Sequence, residues 1–344
     1  MRSAADRVAG VSRLLAAAER VYRQRAASIL DIARTTGLTV EGVELGFECL
    51  EREASAEDLR SLVEAAGTAS HVHVILSANV FVAPLRALAV ARAAAERVTI
   101  RPSPRDPVVA QALVREAGDE AIRIDLERDV AAVDATEIHV YGRDATISEV
   151  RARARTGVTV RGHGAGMGVA LVTGADDVEL AAKALAADVV LFDQRGCLSP
   201  RVVVAIGDAT RGRRLVEALH RQLGDWGARV PRGELRPEER AEAARWVDTM
   251  RFAGNVSTGP HHAVGIPAEP SLLVPPAGRH VLVVASETLA AARAALAPLA
   301  VFVVVVGCND PGSAAALVPS GVRIAALGRM QHPPLDGPVD RRGQ

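Results

Sequence analysis

Asp193-Gln194-Arg195-Gly196-Cys197-Leu198-Ser199, continued by Pro200, is the stretch on which the reading of this chain turns. It lies between two apolar runs, Asp188-Val189-Val190-Leu191-Phe192 and Arg201-Val202-Val203-Val204-Ala205. Gly196 lacks a Cβ and permits close backbone approach, and the residues after it form a short turn. One thiol is therefore expected at a sharp bend between buried segments, with its sulfur facing a cleft. A thiolate held this way can attack a carbonyl and form a thioester. A solitary cysteine is more often a small buried hydrophobe, and Cys49 and Cys308, in apolar helix and strand contexts, read as core.

Working outward, apolar runs alternate with helical spacing. Strands are expected at 71–76, 98–101, 121–124 and 137–141. Helices are expected at 4–34, 41–66, 84–96 and from 106 to about 117, the third with Pro84 in its first turn, where proline is tolerated. Beyond the glycine-rich stretch holding Gly162, Gly164, Gly166 and Gly168, strands are expected at 169–172, 201–206, 280–284, 300–306 and 322–326. The helices of that half are expected at 176–187, 210–222, near 236–248 and at 287–296. Residues 254–270 read as a His/Gly/Pro-rich loop, and 328–344 as an aperiodic tail. Helices of ten or more residues between strands are the signature of βαβ units and a parallel sheet. Ligands of such sheets bind beyond the carboxyl ends of the strands, where Asn79, Arg101 and Gly142 fall. No GxGxxG follows the first strand, so the ordinary dinucleotide fingerprint is missing.

Composition sets outer bounds. The 344 residues suffice for about two domains. Hydrophobic residues make up 49% and aromatic ones only 3%, so the core must be aliphatic. Lys+Arg and Asp+Glu are 41 each, which gives no net field toward nucleic acid or an anionic membrane. Three scattered cysteines are too few for a disulfide framework or a zinc site, and His261 and His262 lack partners at metal-ligand spacing, so no metal is expected. A reducing cytoplasm is the natural compartment. Asp6, Arg7, Arg13 and Glu19 interrupt any signal-peptide core, and the run from Leu296 to Cys308, broken by Pro298, is too short to span a bilayer.

These segments together resemble the acyl-CoA reductase family typified by the fatty acid reductase of bacterial luminescence, within the aldehyde dehydrogenase superfamily. The sharpest match is Phe192-Asp193-Gln194 followed by Cys197-Leu198-Ser199-Pro200, which resembles the nucleophile segment of that family. Gly328-Arg329-Met330-Gln331 with Pro333-Pro334-Leu335-Asp336 resembles its C-terminal segment. Ser77-Ala78-Asn79 is similar to the superfamily's asparagine segment, and Arg101-Pro102-Ser103-Pro104-Arg105-Asp106-Pro107 to its cofactor-binding Lys-Pro-Ser segment. Gly142 to Ile147 sits where the superfamily has a second cofactor loop. The resemblance covers residues 70–344. It departs from the pattern in three places. Arg101 replaces the lysine, His163 stands by spacing where hydrolytic members carry a general-base glutamate, and no ribose-gripping glutamate is evident near Arg279-His280-Val281.

The resemblance implies an α/β, aldehyde dehydrogenase-like fold with two parallel-sheet domains and an active-site cleft between them. Residues 1–160 would form N-terminal helices and the nicotinamide domain, 161–325 the thiol domain and 326–344 a tail. It implies reduction of an acyl-CoA to an aldehyde through a Cys197 thioester. Asn79 would stabilise the oxyanion with the Cys197 N–H, and His163 would line the cleft or act as a base. Arg101, Ser103, Arg105, Gly142 and Thr146 would contact the cofactor. Arginines suit the 2′-phosphate of NADPH, so NADPH is expected, with NADH as the alternative. A homo-oligomer and an acyl-transferring partner subunit are further implications. Other readings stay open residue by residue: Asn79 as a helix cap, the arginines as surface residues, the glycines as packing positions. Two rival functions also remain. One is reduction of acyl phosphates or partner-delivered acyl groups, and the other a non-catalytic subunit.

Overall fold

A computed structural model describes residues 3–341. The chain folds into two compact units. One comprises the described residues through Thr36 with Gly46–Ala165 and Pro334–Val339; the other comprises Gly37–Leu45, Gly166–Pro333 and the described residues from Asp340.

The first half of the chain runs α1 (Ala4–Arg23), α2 (Ile29–Thr36), α3 (Val40–Phe47), α4 (Ala56–Ala66), β1 (Ala69–Ile75), α5 (Ala83–Ala94), β2 (Ala95–Arg101), α6 (Val108–Ala117), β3 (Ile122–Ile124), β4 (Glu137–Tyr141), α7 (Asp144–Arg153) and β5 (Thr159–His163). Ser3 and Ser55 start α1 and α4 through reciprocal bonds with Asp6 and Asp58. The strands form one parallel sheet in the order β3-β2-β1-β4-β5. Every residue of α5 from Pro84 to Ala94 is buried, because the helix lies between β1 and β2 on one side and α1 and α4 on the other. Apolar residues all round a helix require this. Its two arginines are paired: Arg92 with Asp119 at 2.9 Å, and Arg86 with Glu51 at 2.6 Å and with the carbonyls of Pro334 and Gly337. The expected helix over 4–34 is two helices joined by a 3₁₀ turn at Arg25–Ala27, and the one over 41–66 is broken between Phe47 and Ala56.

The second half runs β6 (Met167–Val172), α8 (Val178–Val190), β7 (Pro200–Ile206), α9 (Ala209–Arg229), α10 (Pro237–Ala253), β8 (Gly254–Gly259), β9 (His262–Pro267), β10 (His280–Ser286), α11 (Leu289–Leu296), β11 (Val303–Gly307), α12 (Pro311–Leu317) and β12 (Arg323–Ala325). Its seven strands lie in the order β12-β11-β6-β7-β10-β9-β8, all parallel except β8. Val202–Ala205, Val281–Val284 and Val303–Val306 are buried without interruption, as strands covered on both faces must be. Val169, Leu171, Val202, Val204, Leu282 and Val284 share a core with residues of α10, α11 and α12. The alternate face is served by α9, which packs on β7, β9 and β10.

Residues 254–267 differ from the expected loop. They form a hairpin whose two-residue turn is Pro260-His261, with Gly259 opposite His262. Thr159–His163 pairs with β4 as the edge of the first sheet, so His163 belongs to a strand of the first unit.

Candidate active site

Cys197 stands in the turn between a 3₁₀ segment (Leu191–Gln194) and β7. It is half-buried, between buried Gly196 and buried Leu198 and Ser199, whereas Cys49 and Cys308 are 6% and 2% exposed. The backbone leading to it is unusual. Phe192, Asp193 and Gln194 have φ of 54°, 51° and 64°. Three successive non-glycine residues in the left-handed region persist only where their surroundings impose it.

Those surroundings are specific. Asp193, 1% exposed, holds the equally buried Arg279 at 2.7 Å and accepts the Gly233 N–H at 2.9 Å. Arg279 also donates to the Val230 carbonyl at 2.7 Å. Burial draws the Arg279 guanidinium below its usual pKa and Asp193 opposes that shift. Gly233 can approach only as glycine, since an added Cβ would strike the Gly37 carbonyl and stand 3.0 Å from Leu38 Cα. Gln194 donates to the carbonyls of Pro200 at 2.7 Å and His280 at 2.8 Å, and accepts the His280 N–H at 2.9 Å. One amide thus ties the strained run to the starts of β7 and β10. The turn closes with the Ser199 N–H on the Gly196 carbonyl at 3.2 Å.

The other expected site residues gather in the first unit, at the carboxyl end of its sheet. Asn79 is exposed in the loop after β1. Arg101 ends β2 and donates through Nη1 to the carbonyls of Glu127 and Arg128 at 3.0 and 3.3 Å, with burial lowering its pKa. Ser103 opens a turn closed by the Asp106 N–H on its carbonyl at 3.0 Å, and its Oγ accepts the Arg105 N–H at 3.3 Å. Arg105 is exposed. Gly142 follows β4, and Thr146 lies half-buried in the first turn of α7. His163 ends β5, stacked on Tyr141 with centroids 4.4 Å apart. Its other ring neighbour, His139, bonds Glu137 at 2.6 Å. Burial would raise the Glu137 carboxyl, but His139 and Arg161 outweigh it and hold it below its ordinary value. The structure groups these residues in one unit and places Cys197 in the other.

This end of the first sheet fits a dinucleotide on two observations. Strand order reverses between β1 and β4, the arrangement that opens a ligand crevice beyond the carboxyl ends of a parallel sheet. Gly142, at that reversal, presents no side chain, and a Cβ there would meet Thr146 at 3.8 Å. Other glycines are packing positions. A Cβ on Gly162 would meet Ile147 at 2.5 Å, and one on Gly168 would stand 2.6 Å from the Leu198 carbonyl oxygen. Among the described residues, no three His, Cys, Asp or Glu side chains are grouped to hold a metal.

Sequence reasoning gave no role at the thiol turn to four residues, Asp188, Arg279, Met330 and Gln331, although it matched the last two to the family's C-terminal segment. A buried acid inside an apolar run was the one visible sign of Asp188. Arg279 and Gln331 carry no periodic signal.

Residues 44–340 match the family model described as acyl-CoA reductase (LuxC). No curated protein matches the chain. Among solved structures it is similar to an NAD-dependent benzaldehyde dehydrogenase from Corynebacterium glutamicum, with 18% identity, 96% of this chain and 82% of that one covered, and a TM-score of 0.68. It is also similar to a salicylaldehyde dehydrogenase from Pseudomonas putida G7, with 16% identity, 95% and 78% coverage, and a TM-score of 0.69. Lactaldehyde dehydrogenase from Escherichia coli is similar at 14% identity, 95% and 79% coverage, and a TM-score of 0.68.

Proposed function

Starting from the fact that the chain belongs to the acyl-CoA reductase (LuxC) family, we infer that it reduces an acyl-CoA, a fatty acyl-CoA first of all, to the aldehyde. Cys197 carries the acyl group and NADPH is the reductant. One observation carries this reading: the half-exposed thiol sits on a turn whose preceding three residues are held in the left-handed region by buried side chains. Such strain is stored where chemistry uses it.

In this mechanism the Cys197 thiolate attacks the acyl carbonyl, and the thiol of coenzyme A leaves. The Cys197 N–H and the Asn79 amide are the donors assigned to the oxyanion, each worth about 10²–10³ in rate. A bound nicotinamide would supply the hydride for reduction of the thioester on Cys197, and release of the aldehyde would regenerate the thiol. With His163 standing by resemblance at the place of a hydrolytic glutamate, no carboxylate there activates water against the thioester. In the same reading Arg101, Ser103, Arg105, Gly142 and Thr146 hold the cofactor, the two arginines at the 2′-phosphate. The NAD dependence of the similar benzaldehyde dehydrogenase supports NADH as the alternative. The scattered cysteines suit a reducing compartment, and a cytoplasmic homo-oligomer belongs to the same proposal. A thiol of this kind serves equally well with acyl phosphates or partner-delivered acyl groups, so the leaving group is the point to test.

The test is intact-protein mass after incubation with a series of acyl-CoAs without nicotinamide, for wild type and Cys197→Ala. The expected result is an adduct on the wild type alone, discharged as aldehyde by NADPH and more slowly by NADH. No adduct with any acyl-CoA overturns the acyl-CoA reading.

A further inference from the structure

The last part of the second unit plays no role in the chemistry above, yet it is built into the thiol turn. Gly328 has φ 81° and lies against Ala184, where an added Cβ would meet that residue at 3.3 Å. The N–H groups of Gly328 and Met330 donate to the Asp188 carboxylate at 2.7 and 3.0 Å. Burial raises that carboxyl to about 7, against the pull of these bonds. Met330 is fully buried over two glycines: a Cβ on Gly168 would stand 2.7 Å from its Cε, and one on Gly307 2.9 Å from its Cγ. Thus β6 and β11 leave a hole that the Met330 side chain fills. Gln331 comes next, and its Nε2 donates to Ser199 Oγ at 2.8 Å and to the Asp188 carbonyl at 3.3 Å.

Ser199 and Asp188 are 0% exposed and Gln331 6%, so water does not substitute for this bond without cost. Ser199 is also the residue that closes the Cys197 turn, through a long 3.2 Å backbone bond, and its carbonyl accepts the Gly168 N–H at 2.9 Å. Gln331 therefore makes the shortest hydrogen bond to Ser199 itself, while Gln194 holds the next residue, Pro200, at 2.7 Å. Asp193 and Gln194 fix the upstream side.

We propose that Gln331 is a positioning residue for the Cys197 nucleophile, its amide, carried on the 328–331 segment, holding Ser199 and thereby the turn that aims the thiol. The proposal rests on Cys197 being the acyl carrier. Misplacing a reacting group by about 1 Å costs roughly 10²-fold in rate, so a turn freed on one side is expected to lose about ten- to a hundredfold.

The experiment uses the full chain with Gln331→Leu, Ser199→Ala and the two combined. Three quantities are read per folded molecule: the single-turnover rate of Cys197 acylation by the best acyl-CoA, the rate of Cys197 alkylation by iodoacetamide over a pH series, and thermal unfolding. Each single variant is expected to slow acylation about tenfold or more and to shift the alkylation pH profile. The double variant is expected to be no slower than the slower single, because both changes cut one link. Lowered unfolding temperatures with wild-type acylation rates and an unshifted profile overturn the proposal. If the wild type forms no acyl adduct, the acyl-carrier reading fails on its own. The alkylation profile then still decides whether Gln331 positions the thiol, and an unshifted profile overturns that. Should Gln331→Leu not fold, Ser199→Ala, which removes one oxygen atom, carries the comparison.

Discussion

Asp193→Asn asks what holds the thiol turn against its own backbone preference. Phe192, Asp193 and Gln194 all have positive φ, and each non-glycine residue in that region costs about 1–2 kcal/mol. Three in succession therefore store about 3–6 kcal/mol. Opposing this is the Asp193–Arg279 pair, at 2.7 Å with both side chains 1% exposed. Removing one partner of such a pair costs about 3–5 kcal/mol, because the other charge stays buried. Asparagine keeps the shape of aspartate and enters the left-handed region as readily, so the change removes the charge together with one of the two acceptor oxygens that meet Arg279 and the Gly233 N–H. The two ranges overlap, and loss of the pair is enough to release the run. The expected outcome is a loss of about 3–5 kcal/mol in urea unfolding, together with a fall of about tenfold or more in Cys197 acylation. Combining it with Arg279→Met removes the stranded charge. That pair of changes is expected to recover part of the stability without recovering the rate. An Asp193→Asn chain that unfolds like the wild type and acylates at its rate refutes the reasoning.

Two further predictions concern packing and pH. Gly168→Ala places a Cβ 2.6 Å from the Leu198 carbonyl oxygen and 3.0 Å from the Ser199 carbonyl carbon. Backbone must move there, so a loss of about 1–3 kcal/mol is expected in urea unfolding, with slower Cys197 alkylation than in wild type. Asp106 is 3% exposed, with its Oδ1 making no hydrogen bond, and burial raises its carboxyl from 3.8 to about 7. A raised carboxyl makes the folded state bind the proton more tightly. Its contribution is thus full below the unfolded value and lost as pH rises through about 7, by roughly 4 kcal/mol. Asp106→Asn is expected to gain on the wild type by that order as urea unfolding is moved from acid to neutral pH, and a constant difference across the series refutes it.

The parallel sheets were legible because strands covered on both faces must be apolar throughout, and Val202–Ala205 and Val303–Val306 announce themselves that way. The same logic hides the edges. Thr159–His163 and Gly254–Gly259 are edge strands, half-exposed and rich in turn-forming or polar residues, so composition gave β5 no strand signal and turned the β8–β9 hairpin into a loop. A turn at Cys197 between buried segments was legible from the sequence, but its conformation was not. Phe, Asp and Gln do not announce positive φ as glycine does. The glycines at 162 and 168, visible as a pattern, turn out to make room for Ile147 and for the thiol turn with Met330. Gln331 sits in a stretch without periodicity because its role is one hydrogen bond and not a face.

The bonds that shape the thiol turn explain why local sequence could not specify it. Asp193 reaches Gly233 and Arg279 across 40 and 86 residues, and Ser199 reaches Gln331 across 132. Closing such separations costs chain entropy before any contact repays it, whereas a strained left-handed run has no local reason to form. The contacts that shape the turn are therefore complete only when β10 and the 328–331 segment are in place. A half-exposed thiol on an unfinished chain is a liability to oxidation and to indiscriminate alkylation. Tying its presentation to partners spread from Gly233 to Gln331 means that the Cys197 thiol takes this setting only in a second unit that is already whole. The same dependence makes the turn sensitive to changes that touch neither substrate nor cofactor, which is why substitutions at Asp193, Gly168 and Gln331, and not at Cys197 alone, are expected to alter the reactivity of its thiol.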